Sequence, residues 1–257
     1  MLMDVKKYLE RIGIDFIPEP TADNLALIQK AHLQNVPYET CDISLRNIVP
    51  SMSLEDIYQK IVLQKRGGYC FELNGALAWL LRNLGYHVKE SFGRWHFSEE
   101  NPVPPPRHRV IQVYLENETY IVDAGVGRPT ALTPLLLRFN VEQERNGMIF
   151  RIKPDPILGY AVQIQTPDGF RNFYSFQDKI DLPQDFIYVN YYLATHPDSI
   201  FRKKLMVNLP AHDGRRSIYL EDGVYVFRVD GRQEEYIQTD NIARLKEILE
   251  ENFNIIW

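Results

Sequence analysis

Arg66-Gly67-Gly68-Tyr69-Cys70-Phe71-Glu72-Leu73-Asn74 is where the chain passes from one helical pattern to the next. Upstream, Ser53 reads as an N-cap, with Leu54, Ile57, Ile61 and Val62 on one face of the helix it starts. Gly67 and Gly68 are expected to stop that helix, because glycine accepts the left-handed conformation of a C-terminal cap. Downstream, Leu73, Leu77, Leu80, Leu81 and Leu84 recur at helical spacing, and Gly85 closes the second helix. Cys70 therefore falls at or near the first turn of a core helix. The positive end of the helix dipole favours a thiolate there, and first-turn N–H groups can bind an oxyanion. A cysteine behind a glycine cap can equally be a small, inert core residue. Cys41, flanked by Thr40 and Asp42, reads that way.

The segments before this stretch are helical as well. Val5, Tyr8, Leu9 and Ile12 have helical spacing, and Thr21 can cap a helix carrying Leu25, Leu27, Ile28 and Ala31. After Gly85 the period changes. Segments 86–95, 108–115 and 119–124 are rich in Val, Ile, Tyr and Phe and read as strands, with a turn at Glu116-Asn117-Glu118. Between the first two lies a proline-dense loop, 98–107, that cannot join a ladder. Residues 148–176 add short strands broken by Pro154, Pro156, Gly159 and a Pro167-Asp168-Gly169 turn, which suits an antiparallel sheet or small barrel. Residues 218–229 form a hairpin around Asp222-Gly223. Asp240 can cap a closing helix with Ile242, Leu245, Ile248, Leu249 and Phe253 on its apolar face. A helical front, a β middle and a mixed end predict an α+β fold in three parts.

Bulk properties narrow the partners. With 257 residues, of which 45% are hydrophobic, the chain can bury a full core. A net charge of −5 argues against nucleic acid as the main partner, so an anionic substrate must be met by a local basic patch. The first residues carry charges throughout, with no uninterrupted apolar stretch of signal-peptide length, and nothing later is long enough to span a bilayer. Two cysteines make no disulfide framework, so a reducing cytoplasm is expected. No cysteine–histidine cluster has metal-ligand spacing, and no metal is expected.

A thiol becomes catalytic when a histidine can take its proton and a third group holds that histidine. Of the six histidines, His108 has the best context, opening a strand immediately after the proline loop. His87, His32, His96, His196 and His212 read as surface or capping residues. Asp123 is the most economical orienting acid, since it ends the apolar strand Thr119-Tyr120-Ile121-Val122 and precedes Ala124-Gly125-Val126-Gly127. A turn centred on Asn117-Glu118 would pair Asp123 with residue 112. His108 would then lie four residues along the strand, ~13 Å away, so a bulge or bent hairpin would have to close the gap.

With these residues in view, the run Arg66–Asn74 resembles the active-site signature of the arylamine N-acetyltransferases. The other pieces follow in that family's order: Val36-Pro37-Tyr38-Glu39, His108 before a Val-Ile-Gln-Val strand, residues 120–127, and residues 190–201. The separations of 38 residues from Cys70 to His108 and 15 from His108 to Asp123 also match. The resemblance implies a helical bundle at 1–86 carrying the nucleophile, an antiparallel β-barrel at 87–190 carrying His and Asp, and an α/β lid at 191–257. It implies a Cys70–His108–Asp123 triad like that of cysteine proteases, acetyl-CoA as acetyl donor, and an arylamine or hydrazine as acceptor. The route implied is ping-pong through an acetyl-Cys70 intermediate, in a monomer or homodimer that engages neither nucleic acid nor membrane. Tyr38, Tyr69 and Val126 fall where the family lines its substrate pocket, and Glu39 and Arg66 where it keeps a structural ion pair.

Two departures bear on the pocket. Val126 stands where the family often has phenylalanine, which predicts a roomier, less aromatic site, and Thr40 replaces the usual Asn. For an anionic donor the candidate cations are Arg107, Arg109 and Arg128, and Arg202-Lys203-Lys204. The competing readings are a transglutaminase-like or papain-like cysteine amide hydrolase, which orders the same three residues along an α-then-β chain, and a binding module without turnover.

Overall fold

A computed structural model describes residues 3–97 and 103–256; the part of the proline-dense loop at 98–102 lies outside the described residues. The front of the chain folds by local rules. Helix α1 (Val5–Arg11) is capped by Asp4, whose carboxylate accepts from Lys6 N–H at 2.8 Å. Helix α2 (Ala22–Asn35) is capped by Thr21, whose hydroxyl accepts from Asn24 N–H at 3.2 Å. A two-residue strand, β1 (Tyr38–Glu39), and a single helical turn, α3 (Cys41–Ser44), precede α4 (Leu54–Tyr58), which Ser53 caps. The next helix, α5 (Cys70–Asn83), is buried all round over Cys70–Ala78, and the predicted leucine stripe is entirely inside.

The glycine pair between α4 and α5 does a different job from the one expected. Neither Gly67 nor Gly68 takes a positive φ; Lys65 does, at 56°, after α4 runs on into a π-helical turn over Gln59–Leu63. The two glycines provide room instead. A Cβ on Gly67 would sit 2.0 Å from the Pro37 carbonyl oxygen, and one on Gly68 would sit 2.9 Å from Glu72 Cβ. Backbone passes so close that Glu39 N–H donates to Gly68 C=O at 2.9 Å.

The middle of the chain forms an eight-stranded antiparallel sheet. Its strands are β2 (His87–Trp95), β3 (Pro106–Leu115), β4 (Glu118–Val122), β5 (Leu135–Leu136), β6 (Gln143–Arg145), β7 (Met148–Asp155), β8 (Gly159–Thr166) and β9 (Gly169–Phe176). Their order is β5-β4-β3-β2-β9-β8-β7-β6. The two edges meet through a side chain: the Gln143 amide donates to Leu136 C=O and accepts from Leu136 N–H, both at 2.8 Å. Phe150, Ile152, Val162, Phe173 and Phe176 fill the interior of this barrel-like sheet.

The β3–β4 hairpin turns one residue earlier than the sequence suggests. Glu116 and Asn117 both have positive φ, 51° and 64°, as a two-residue primed turn requires. The register therefore pairs Ile111 with Val122, which puts Asp123 level with residue 110 and only two residues from His108. On the other side of β3, Gly93 pairs with His108 and Arg94 with Pro106, so Arg107 is bulged out of the ladder.

Helices α6 (Phe186–Thr195) and α7 (Ile200–Lys203) lead into β10 (Met206–Ala211), β11 (Gly214–Glu221), β12 (Val224–Val229), β13 (Arg232–Gln238) and α8 (Ile242–Phe253). The Asp222-Gly223 turn is as expected, both residues at positive φ. Asn241 rather than Asp240 caps α8, accepting from Arg244 N–H at 3.1 Å. This second sheet runs β1-β10-β11-β12-β13, with β1 contributed by the front of the chain. A boundary after residue 190 falls inside α6, whose Phe186, Leu193 and Ala194 share a core with α1, α2 and α5. Among the described residues no helix is long and apolar enough to cross a membrane.

Gly67→Ala should destabilise the fold by about 3 kcal/mol, because backbone meets backbone at the new methyl. Gly147→Ala, at φ 81° with open space around it, should cost only about 1–2 kcal/mol of left-handed strain. Denaturant midpoints of the two variants check the ordering.

Candidate active site

Cys70 opens α5 and faces a cavity of about 100 Å³. Its walls include Tyr38 from β1, Trp95 and Phe97 from β2 and beyond, His108 from β3, and Val126 from the corner after β4. The thiol can donate to Arg107 C=O at 3.7 Å, the carbonyl of the bulged residue. Beside the cavity His108 and Asp123 form one unit. His108 Nε2 lies 2.6 Å from Asp123 Oδ2, and both side chains are buried. The ring is held between Trp95 and Tyr174, at centroid distances of 6.0 and 5.5 Å. With Nε2 committed to the carboxylate, Nδ1 is the nitrogen left for the thiol.

The electrostatics of His108 follow from these neighbours. Burial lowers the pKa of the imidazolium, but the charge and hydrogen bond of Asp123, together with a hydrogen bond and charge from Cys70, outweigh it and push the pKa up from 6.5 to about 10. His32 shows the opposite balance. Burial, with Arg11 nearby, takes it down to about 3, so it is a neutral partner to Tyr8 Oη at 3.0 Å.

One side chain fixes the corner that carries Asp123. Asn74 lies one turn after Cys70 on α5, so the two share a face. Its amide donates to Asp123 Oδ1 at 2.8 Å and to Arg109 C=O at 2.5 Å, while its oxygen accepts from Ala124 N–H at 2.8 Å. Gly125 N–H adds a bond to Asp123 Oδ1 at 2.9 Å. A Cβ on Gly125 would lie 2.8 Å from Cys70 Cα, so only glycine lets the corner reach the thiol. From α2, Gln29 accepts from Asp123 N–H at 3.3 Å and donates to Ala131 C=O at 3.0 Å.

Beneath the thiol lies a buried charge network. Arg66 is 2.6 Å from Glu39 and 3.1 Å from Asp42. Lys60, delivered by the π-helical turn, is 2.8 Å from both Asp42 and Glu72. Glu72 in turn accepts from Tyr69 N–H at 3.1 Å, which anchors the start of α5. Burial pushes Glu72 up, against the pull of Lys60; Asp42, despite burial, is held down to about 2 by Lys60 and Arg66.

The residues singled out from sequence meet different fates. Cys70, His108 and Asp123 come together, Tyr38 and Val126 line the cavity, and Glu39 and Arg66 pair. Tyr69 does not reach the cavity. Its ring is buried against Phe71 and Phe201, and its hydroxyl donates to Asn190, because the N-cap residue of α5 turns its side chain away from the mouth. Although Val126 is small, Trp95, Phe97 and Phe201 keep the cavity aromatic. Thr40 stitches β1 to the second sheet, its hydroxyl accepting from Met206 N–H at 3.0 Å. Arg109 is buried against Glu90 and stacks on Phe186, so it serves the core, while Arg107 and Arg128 do line the cavity. Asn74 carried a readable signal in its one-turn spacing from Cys70; Gln29 carried none. Ile200, Phe201 and Met206, which form the third wall, join the cavity only through tertiary packing. Among the described residues no group of three or more His, Cys, Asp or Glu is arranged to hold a metal ion.

The chain is similar to known proteins over nearly its full length. A family model described as N-acetyltransferase matches residues 21–256. The arylamine N-acetyltransferase of Mycobacterium tuberculosis is 30% identical over 259 residues, covering 99% of this chain and 90% of the relative. Among solved structures, the arylamine N-acetyltransferase from Salmonella typhimurium superposes with a TM-score of 0.88 at 26% identity, covering 99% of this chain and 92% of the other. That of Mycobacterium marinum in complex with CoA gives 0.85 at 29% identity, covering 98% and 93%.

Iodoacetamide at neutral pH should label Cys70 once and spare Cys41, whose thiol burial and Glu39 push well up and which sits inside the core of the second sheet. Peptide mapping of the labelled protein checks this. The raised His108 pKa also has a stability signature. The pairing contribution is fully present below pH 6.5 and fades as pH rises through about 10. The melting temperature of His108→Gln should therefore trail the parent more at pH 6 than at pH 10.

Proposed function

This chain belongs to the arylamine N-acetyltransferase family and is an acyltransferase, and on that premise we propose that it transfers acetyl from acetyl-CoA to an arylamine or hydrazine by a ping-pong route through acetyl-Cys70. The observation that carries the reading is the line from Asp123 through His108 to the cavity that Cys70 opens onto. The CoA complex of the Mycobacterium marinum relative supports the donor. The arylamine specificity in the relatives' names, together with the aromatic lining here, supports the acceptor.

In the first half-reaction the Cys70 sulfur attacks the thioester carbonyl carbon. A new S–C bond forms, the C–S bond to CoA breaks, and the proton that His108 took from Cys70 passes to the departing CoA sulfur. The step exchanges one thioester for another, so it is nearly balanced in energy. In the second, the amine nitrogen attacks the acetyl carbon on Cys70. The N–C bond forms, the Cys70 S–C bond breaks, and His108 relays the amine proton back to the sulfur. Asp123 keeps the ring proton on Nε2, so that Nδ1 faces the sulfur, and stabilises the imidazolium. The first-turn N–H groups of α5, at the positive end of its dipole, favour the oxyanion of each tetrahedral intermediate. Tyr38 and Val126 border the acceptor, and Glu39 with Arg66 supports the turn before Cys70 without touching substrate. Both cysteines are free thiols, consistent with work in a reducing cytoplasm.

Intact-mass measurement after mixing with acetyl-CoA should find one added acetyl group, discharged on adding an arylamine and missing in Cys70→Ala. Absence of the adduct in the parent protein would sink the reading. His108→Ala should slow acylation by about 10²–10⁴-fold; near-normal turnover would refute its role as the base.

A further inference from the structure

Tyr38 brings a phenol into the wall of the Cys70 cavity on a strand tied to the thiol's own backbone. On one side β1 pairs with β10, Tyr38 lying opposite Asn208. On the other, Tyr38 bridges Gly68, two residues before Cys70. Glu39 N–H donates to Gly68 C=O at 2.9 Å, and Gly68 N–H to Pro37 C=O at 3.3 Å. The ring is confined as well. A Cβ on Gly127 would lie 2.6 Å from Tyr38 Cε1, so the glycine corner after β4 makes room for it. The residue is only 7% exposed, and it shares the cavity wall with Cys70 and His108.

The hydroxyl on this ring has no protein partner. Among the described residues no protein group forms a hydrogen bond with it. The hydroxyls of Tyr8, Tyr69, Tyr86 and Tyr219 do have partners, in His32, Asn190, Thr21 C=O and Gly127 C=O. A buried hydroxyl left unbonded is unfavourable compared with the same ring without the oxygen. The group that bonds it therefore comes from what enters the cavity. Burial first, then the charge of Cys70, push the phenol pKa well up, so the group keeps its proton and acts as a donor.

An acyl group on Cys70 extends into this cavity with its oxygen two bonds from the sulfur. That oxygen becomes an anion each time a nucleophile adds to the acyl carbon. The Arg107 carbonyl beside the thiol offers it only another negative dipole. We propose that the Tyr38 hydroxyl is a catalytic hydrogen-bond donor, holding the acyl oxygen at Cys70 while that oxygen carries negative charge. The inference rests on the reading of Cys70 as the acylated thiol, and it adds a side-chain donor to the first-turn N–H groups of α5. The phenol loses no proton. As the tetrahedral intermediate collapses, the C=O bond re-forms, the C–S bond to the leaving sulfur breaks, and the Tyr38 O–H stays intact. The same donor serves both half-reactions, because Cys70 carries the acyl carbon in each intermediate.

The test uses Tyr38→Phe, which removes one oxygen and keeps the ring. Two rates are measured on the parent and the variant: acetylation of Cys70 at saturating acetyl-CoA in a single turnover, and alkylation of Cys70 by iodoacetamide. Both reactions need the thiolate, but alkylation displaces iodide from a saturated carbon and builds no oxyanion. Acetylation should slow about 100-fold in Tyr38→Phe while alkylation is unchanged. An unchanged acetylation rate overturns the assignment. Equal slowing of both reactions also overturns it, because the phenol would then act on the thiol or on the fold. Either result leaves the proposed function standing, whereas a parent protein that acetyl-CoA does not acetylate at Cys70 overturns both.

Discussion

Everything at the site depends on the three hydrogen bonds of the Asn74 amide. A helix and a sheet are separately rigid, but nothing in either sets the distance between a thiol on one and a carboxylate on the other. Asn74 does so by reaching from the thiol's own helix to Asp123, to Ala124 N–H and to Arg109 C=O. All three bonds are buried, where an unmade bond costs about 1–3 kcal/mol, so the corner has one favourable seat. By occupying Oδ1 of Asp123, the amide and Gly125 N–H leave Oδ2 for His108. The imidazole inherits its orientation from a residue it never touches.

A second constraint works from below. Three carboxylates, Glu39, Asp42 and Glu72, share Lys60 and Arg66 in a space nearly closed to water. Buried pairs of this kind contribute little net stability compared with apolar packing, but removing one partner leaves a stranded charge at a cost of several kcal/mol. The network therefore acts as a locator. It joins β1, α3, the π-helical turn and the first turn of α5, and those are the elements on which Tyr38 and Cys70 are mounted.

Local rules made much of this legible in advance. Leucine spacing announced α5, the caps Thr21 and Ser53 sit where the side-chain chemistry put them, and Asp222-Gly223 makes its turn. The partnership of His108 with Asp123 was readable from their element ends and from the family resemblance, but the distance between them was not. A hairpin register changes by two residues when its turn moves by one, and both Glu116 and Asn117 had to accept positive φ for the gap to close. Gly67 and Gly68 read as helix stops because glycine has two uses, and sequence alone does not tell left-handed backbone from close packing. Tyr69, which the family resemblance puts at the pocket, turns its ring into the core against Phe71 and Phe201, a direction that position along the chain does not reveal. The third wall of the cavity was invisible, since Ile200 and Met206 meet Cys70 only across a core that sequence does not draw.

The placement of β1 carries a consequence for how the molecule comes into being. Tyr38 pairs with Asn208 and Glu39 with Val207, so an early two-residue strand is the edge of a sheet made from the last third of the chain. On a ribosome the helix bearing the thiol is complete long before its neighbours at the mouth have been synthesised. Pairings between such distant segments close slowly, because most of the chain must be gathered first. The rim around Cys70 is therefore among the last features to form, and a truncated or half-made chain carries the sulfur without the enclosure that directs its reactivity.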